Sequence, residues 1–198
     1  MRTIFAVFVL FFLFTGCRKV KQELEGKTDT PVGQFVKYTI HQGQQYCDRS
    51  TYIPVDVSEM KFTVRFDSTA IYTAAIAENQ YDINKLYGFS DNNMDHHQYS
   101  ARIGWRWTDD SLRLFGYVYN AGTVVSKELS AISIGSEVNC SIRISDHEYI
   151  FSVNGITKDL PRLSTTTTGK GYQLFPYFGG NEVAPHDVII WIREDNGR

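Results

Sequence analysis

The sequence predicts an all-β protein, a sandwich or barrel carried behind an N-terminal export segment. Three observations predict it. Nine short, mostly alternating runs of apolar and polar residues follow one another from Phe35 to Arg193, with turn residues between them. Aromatic residues make up 14% of the 198-residue chain, with 12 Tyr and 13 Phe, while proline is held to five. Such side chains pack well on a pleated, half-buried face. No internal repeat and no second block of composition appears, so one domain over residues 32–198 is expected.

The chain opens MRTIFAVFVLFFLFTGC. Arg2 supplies a positive start, Ile4 to Phe14 is an unbroken apolar run, and Thr15 and Gly16 are small residues before Cys17. These are the parts of a secretory signal. The apolar run falls short of the roughly 20 residues that a spanning helix needs. Residues 1–16 are therefore expected to be a signal peptide. Its end resembles a lipobox, with Phe14 where Leu is usual. The resemblance implies cleavage before Cys17 and diacylglyceryl attachment to its thiol, a palmitate-type anchor in the cell envelope at the outer membrane. An uncleaved anchor helix or a plain signal is the alternative. Arg18 to Pro31 is polar and charged, so residues 17–31 read as lipidated cysteine plus solvated tether.

Candidate strands are Phe35–His41, Met60–Asp67, Ile71–Ala77, Tyr99–Trp107, Leu112–Tyr119, Glu137–Ser145, Glu148–Val153, Gln173–Phe178 and Val188–Arg193. Asn154-Gly155 is a strong hairpin signal, because a type I′ turn needs positive φ at both central residues. Asp109-Asp110 marks a second tight connection. Around Ile83–Leu86 the pattern hints at a helical turn. Gly179-Gly180 and Pro185 are turn chemistry before the last strand, with His186 and Asp187 placed to staple it.

Alternation also assigns faces. Ala101, Ile103, Trp105 and Trp107 share one face of their run, and Leu112, Leu114 and Val118 one face of theirs; core is the expectation for both tryptophans. Val138, Cys140, Ile142 and Ile144 do the same in a third run. The wetter faces carry Arg102, Arg106, Arg113, Tyr117, Tyr119 and Arg143, the candidate ligand-binding residues. Trp191, on the side away from Val188 and Ile190, is either a sugar-stacking platform or cover for the second sheet.

Formal net charge is −2, which leaves no basic footprint for nucleic acid. Exported compartments permit disulfides, so Cys47 and Cys140 either bridge or stay as two independent buried thiols. The loop Ser90–His97, SDNNMDHH, is the densest polar segment. Asp91 and Asp95 are candidate oxygen ligands for Ca²⁺, against the ordinary reading of a solvated loop. On a strand, His96 and His97 would point to opposite faces, which argues against joint chelation.

Two stretches carry a family resemblance. CSIRISDHEYIFSVNG, beginning at Cys140, looks like the strand hairpin of laminin-G-like and concanavalin A-like jelly rolls. LFPYFGGNEVAPHDVIIWIRE, Leu174 to Glu194, is similar to the closing segment of jelly-roll lipoproteins from glycan-foraging Gram-negative bacteria. The resemblance implies an antiparallel jelly-roll β-sandwich and a polysaccharide or oligosaccharide partner. Such folds also serve polysaccharide lyases and glycosidases.

No strand carries the closely spaced carboxylates that glycoside hydrolysis needs. The first expectation is therefore a membrane-anchored lipoprotein with a non-catalytic glycan-binding domain and no obligatory cofactor. A divergent polysaccharide lyase is the alternative. Arg102 or Arg106 would neutralise a uronate carboxylate, and Tyr117, Tyr119, His96 or His97 would be the base. The Gln-Ile-His and Tyr-x-Lys-x-Gly-x-Tyr patterns of alginate-lyase jelly rolls are missing. A third reading is an accessory subunit with an outer-membrane protein partner.

Overall fold

The computed structural model describes residues 33–195, so the expected signal, Cys17 and the tether lie outside the described residues. Twelve strands are described: β1 (Val36–Ile40), β2 (Pro54–Val57), β3 (Glu59–Phe66), β4 (Asn84–Ser90), β5 (Tyr99–Thr108), β6 (Ser111–Asn120), β7 (Thr123–Ile132), β8 (Val138–Ser145), β9 (Glu148–Val153), β10 (Ile156–Pro161), β11 (Gly169–Leu174) and β12 (Val188–Glu194). They form two six-stranded antiparallel sheets. The first runs β1-β12-β3-β8-β9-β10 and the second β2-β11-β4-β5-β6-β7. The architecture is the jelly-roll β-sandwich.

Alternation explains the packing. Phe62, Phe66, Ile142, Phe151 and Ile190 of the first sheet are fully buried against Trp105, Leu112, Leu114 and Ile103 of the second. Aromatic rings cross the gap: Phe66 lies 5.3 Å from Trp105 and Phe62 5.2 Å from Tyr87, centroid to centroid. Tilted pairs at such distances add to area burial. Trp107 packs at the margin of this core. Both expected tight turns are present. Asp109 and Asp110 have φ of 53° and 50°, and Asn154 and Gly155 have 48° and 84°.

Several expectations need correction. Ile71–Ala77 is not a strand. Asp67 caps a 3-10 turn at Ser68–Ala70 by accepting from Thr69 N at 2.9 Å, and a second turn spans Ala77–Tyr81. The backbone between them is satisfied by side chains: Ala74 N donates to Gln80 and Ala75 N and Ile76 N to Glu182. Ladder bonds are unnecessary where the backbone already has partners. Asn84 to Leu86 opens β4 rather than a helical turn, with Ile83 just ahead of it, and the expected Gln173–Phe178 strand begins earlier and ends at Leu174, as β11.

Cys47 and Cys140 are both buried free thiols, which corrects the bridged alternative. Cys47 pairs with Ile40 on the outer side of β1, while Cys140 lies on β8, with β1, β12 and β3 between. Four strand spacings amount to about 19 Å, beyond the roughly 4.4–6.8 Å between Cα atoms that a disulfide spans.

Candidate active site

The outer face of the second sheet is hollowed into a cleft of about 630 Å³. Its floor is Lys85 on β4, Arg102 on β5, Tyr117 and Tyr119 on β6, and Tyr172 on β11. Two loops wall it, one carrying Tyr46 and Tyr52 and the other Tyr177. Strand pairing sets the floor: Arg102 stands directly opposite Tyr117, and β4 and β6 flank β5 on either side.

Arg102 is the centre of the cleft and is only 6% exposed. Its Nε has no hydrogen-bond partner, and its guanidinium makes no ion pair with any described residue. Burial pushes its pKa down, while the surrounding tyrosines act the other way. A buried, unpaired guanidinium is costly, and an arginine stays protonated, so an anion docked beside it would offset that cost. Lys85 stands beside it, with Nζ donating to Ile83 O at 2.7 Å and lying 4.8 Å from the centroid of the Tyr117 ring. Burial, and then the charge of Arg102, lower its pKa to about 8.

Tyrosines supply the remaining polar surface. Burial holds the Tyr117 phenol well above its ordinary value, so it stays protonated. Tyr172 Oη lies 2.9 Å from His96 Nδ1, accepts from His96 N at 3.2 Å, and donates to Asp95 at 3.3 Å. Burial, followed by the charges of Arg102 and His97, pulls the His96 pKa down to about 4. Its imidazole is therefore neutral at pH 7.

One wall of the cleft is pinned from beneath by a buried ion pair. Asp91 Oδ2 accepts from Arg162 Nε at 2.8 Å and from Tyr149 Oη at 2.7 Å. Its other oxygen accepts from Asn92 N, Lys170 N and Thr166 Oγ1. Asp91 is 0% and Arg162 2% exposed. This carboxylate ties the Ser90–His97 loop to β9 and to the approach into β11. Burial works to raise the Asp91 pKa, and the hydrogen bonds from Arg162, Tyr149 and Asn92 overcome it, so the carboxyl is held below its ordinary value. The expected Ca²⁺ ligand role of Asp91 is thereby corrected, since its oxygens are already occupied inside the protein. The loop is a pinned turn rather than a loose solvated one.

Of the six ligand-binding candidates, the fold brings Arg102, Tyr117 and Tyr119 into the cleft. The other three are corrected. Arg106 lies over the rings of Phe115 and Tyr81 at 4.7 and 5.6 Å and donates to Tyr81 O. Arg113 is neutralised by Glu128 and Asp109. Arg143 is on β8, in the other sheet. Alternation distinguishes inside from outside but not one sheet's outside from the other's. Trp191 likewise faces out from the first sheet, between Lys37 at 5.7 Å and Arg65 at 5.3 Å. Sequence reasoning missed Lys85, Tyr172, Tyr46, Tyr52 and Tyr177. The two glycines ahead of Tyr172 in GKGYQL leave no alternation to read, and the loop tyrosines have no period at all.

The class is thus a jelly-roll sandwich with a cleft on one outer face, centred on a buried arginine. No protein-family model matches the sequence, and no curated protein matches it. Solved structures share the fold. Alginate lyase AlyC3 is similar with a TM-score of 0.53 at 8% identity, over 81% of this chain and 73% of that one. Alginate lyase A1-II′ is similar with a TM-score of 0.50 at 14% identity, over 80% and 76%. The catalytic domain of a laminarinase, an endo-1,3-beta-glucanase from Thermotoga petrophila RKU-1, is similar with a TM-score of 0.50 at 10% identity, over 80% and 74%. These neighbours are enzymes that act on polysaccharides. The expectation of a non-catalytic glycan binder is corrected to this extent: the solved structures that share the fold are enzymes by name, alginate lyases and a laminarinase.

Proposed function

We propose that this chain is a polysaccharide lyase that cleaves a uronate-containing polysaccharide of the alginate kind by β-elimination in the Arg102 cleft. The observation that carries the reading is the buried, unpaired guanidinium of Arg102 among tyrosine hydroxyls. Elimination begins with loss of the proton at C5 of the uronate, which is acidic only when the adjacent carboxylate is neutralised. Arg102 is placed to do that. The C5 proton passes to the Tyr172–His96 pair, whose imidazole is neutral. Docking of the carboxylate cancels the repulsion from Arg102 that helps hold His96 down, so its basicity rises as substrate arrives. The C4–O4 bond breaks as the C4=C5 double bond forms, and the leaving oxygen takes a proton from Tyr117.

A laminarinase-type hydrolysis fits less well. It needs two carboxyl groups across the scissile bond, and no Asp or Glu lines the cleft among the described residues. The test is ultraviolet absorbance of the unsaturated uronate product, with the full chain and a panel of polyuronates including alginate. Absorbance is expected to rise on at least one polymer, and a flat trace across the panel overturns the reading.

We also infer lipid attachment at Cys17 and residence in the cell envelope at the outer membrane, where an extracellular polymer or an outer-membrane partner protein would be met. The signal-like run before Cys17 supports this. Cells fed labelled palmitate should label the wild-type chain and leave Cys17→Ser unlabelled. Equal label in both would overturn the anchor.

A further inference from the structure

Asp95, His96 and His97 sit between β4 and β5 on a turn rather than on a strand. Consecutive strand side chains diverge to opposite faces, which was the reason to expect no joint chelation here. The turn removes that constraint. Asn92 and Asn93 take φ of 58° and 54° to start it, and Gln98 N and Tyr99 N both donate to Asp95 O to close it. The two imidazole rings end 4.1 Å apart, centroid to centroid.

The donor atoms converge. One atom from each of the three residues lies within 4.8 Å of the others, and no second such group occurs among the described residues. Asp95 Oδ1 is 3.4 Å from His97 Nδ1, and Asp95 Oδ2 is 3.6 Å from His96 Nδ1. A tetrahedral ion with bonds of about 2.0–2.1 Å holds its donors roughly 3.3 Å apart. Each imidazole nitrogen therefore lies close to that length from one of the two Asp95 oxygens, and the exposed side chains of Asp95 and His97 are free to turn so that a single oxygen meets both. Two imidazoles and one carboxylate suit Zn²⁺ and its neighbours among the transition metals. Ca²⁺, which takes six to eight oxygens, is not served by this donor set.

We propose that the Asp95–His96–His97 turn is a Zn²⁺-class metal site on the rim of the cleft, and that an ion bound there competes with Tyr172 for His96. The competition follows from one atom. His96 Nδ1, the nitrogen nearest Asp95, is also the one 2.9 Å from the Tyr172 hydroxyl. Asp95 Oδ2 is shared in the same way, since it accepts from Tyr172 at 3.3 Å. Occupancy strips Tyr172 of both side-chain partners and leaves it only the backbone N of His96, so the ion inhibits the cleft. The positive charge of Arg102 reaches His96 and opposes a second cation, which keeps the affinity moderate. Only the inhibitory consequence rests on the lyase reading; the site itself does not.

The test is titration calorimetry of the full chain, freed of any polyhistidine tag, with ZnCl₂ or CaCl₂ alone. One Zn²⁺ per chain is expected to bind saturably and Ca²⁺ to give no saturable heat. His96→Ala and His97→Ala should each weaken Zn²⁺ by about tenfold or more, with circular dichroism reporting an intact fold. Tyr172→Phe should tighten it, because the competitor for Nδ1 is gone. No saturable Zn²⁺ binding, or binding unchanged in the double histidine variant, overturns the site. Unchanged affinity in Tyr172→Phe overturns the competition. No substrate enters these experiments, so their failure is separate from failure of the lyase assay.

Discussion

Arg102→Met should lower uronate cleavage by about 10²–10³-fold, the usual cost of removing a preorganised charge-stabilising donor, and leave the protein at least as stable as before. The two halves of that expectation come from one geometry. Arg102 is 6% exposed, its Nε has no partner, and no carboxylate among the described residues faces it. In the free protein its charge is a burden, since burying an unpaired ion is unfavourable. Methionine fills much of the same volume without that charge, so the urea midpoint should hold or rise. Arg102→Lys should recover only part of the activity. A lysine keeps the charge but loses the planar fork that meets a carboxylate with two parallel hydrogen bonds. Activity assays and urea titrations on the three proteins decide the matter. Full activity in Arg102→Met would sink the assignment. Collapse of the fold would show instead that Arg102 is a structural residue.

Asp91→Asn should destabilise the protein by about 3–5 kcal/mol, the usual cost of breaking one side of a buried ion pair. The Arg162 guanidinium is 2% exposed, and Asp91 is the only carboxylate it pairs with among the described residues. Asparagine retains the shape but leaves that charge uncompensated. The folded-state pKa of Asp91 lies below its ordinary value of 3.8. Its contribution is therefore complete above the unfolded value and is lost as pH falls through the folded one. Wild type should lose stability in that acid range, and Asp91→Asn should show a flatter dependence there. The double variant Asp91→Leu with Arg162→Met should regain only part of the loss, because it removes both buried charges but leaves Tyr149 Oη and Lys170 N without their acceptor. Urea midpoints measured across acid pH give all three numbers. A cost under about 1 kcal/mol for Asp91→Asn, as for a surface pair, would refute the anchoring role. Local proteolysis between Asp91 and Gln98 should also rise in Asp91→Asn, since that carboxylate holds the turn.

The strands that the sequence revealed and those it hid differ for a physical reason. β3, β5, β6, β8, β9 and β12 stand in the interior of their sheets; β8, β9 and β12 alternate in burial, while β5 and β6 are buried along most of their length and are legible because their residue types still alternate. Three of the strands it hid, β2, β7 and β10, are sheet edges. Each buries a single residue, Val55, Leu129 or Leu160, so no alternation is imposed on it. β4 was hidden by the opposite cause. It is buried along nearly its whole length and carries a bulge between Lys85 and Tyr87, which shifts the period.

The site divides along the same line. That Arg102, Tyr117 and Tyr119 point outward is a local property, because a strand's side chains alternate with period two whatever it pairs with. The sequence alone therefore determined the fold class, the two tight turns and this half of the floor. Tertiary structure decided which outward residues meet. It put Arg143 on the far sheet and let Glu128 and Asp109 neutralise Arg113. It brought Tyr172, from beyond the Ser164–Thr168 loop, beside His96, 76 residues away along the chain. It also turned Asp91 inward onto Arg162 and so made a fixed wall of a segment that reads as loose polar loop. Pairing across such distances is written in no single window of sequence. It follows from which faces can bury one another, and that is settled only when both sheets close.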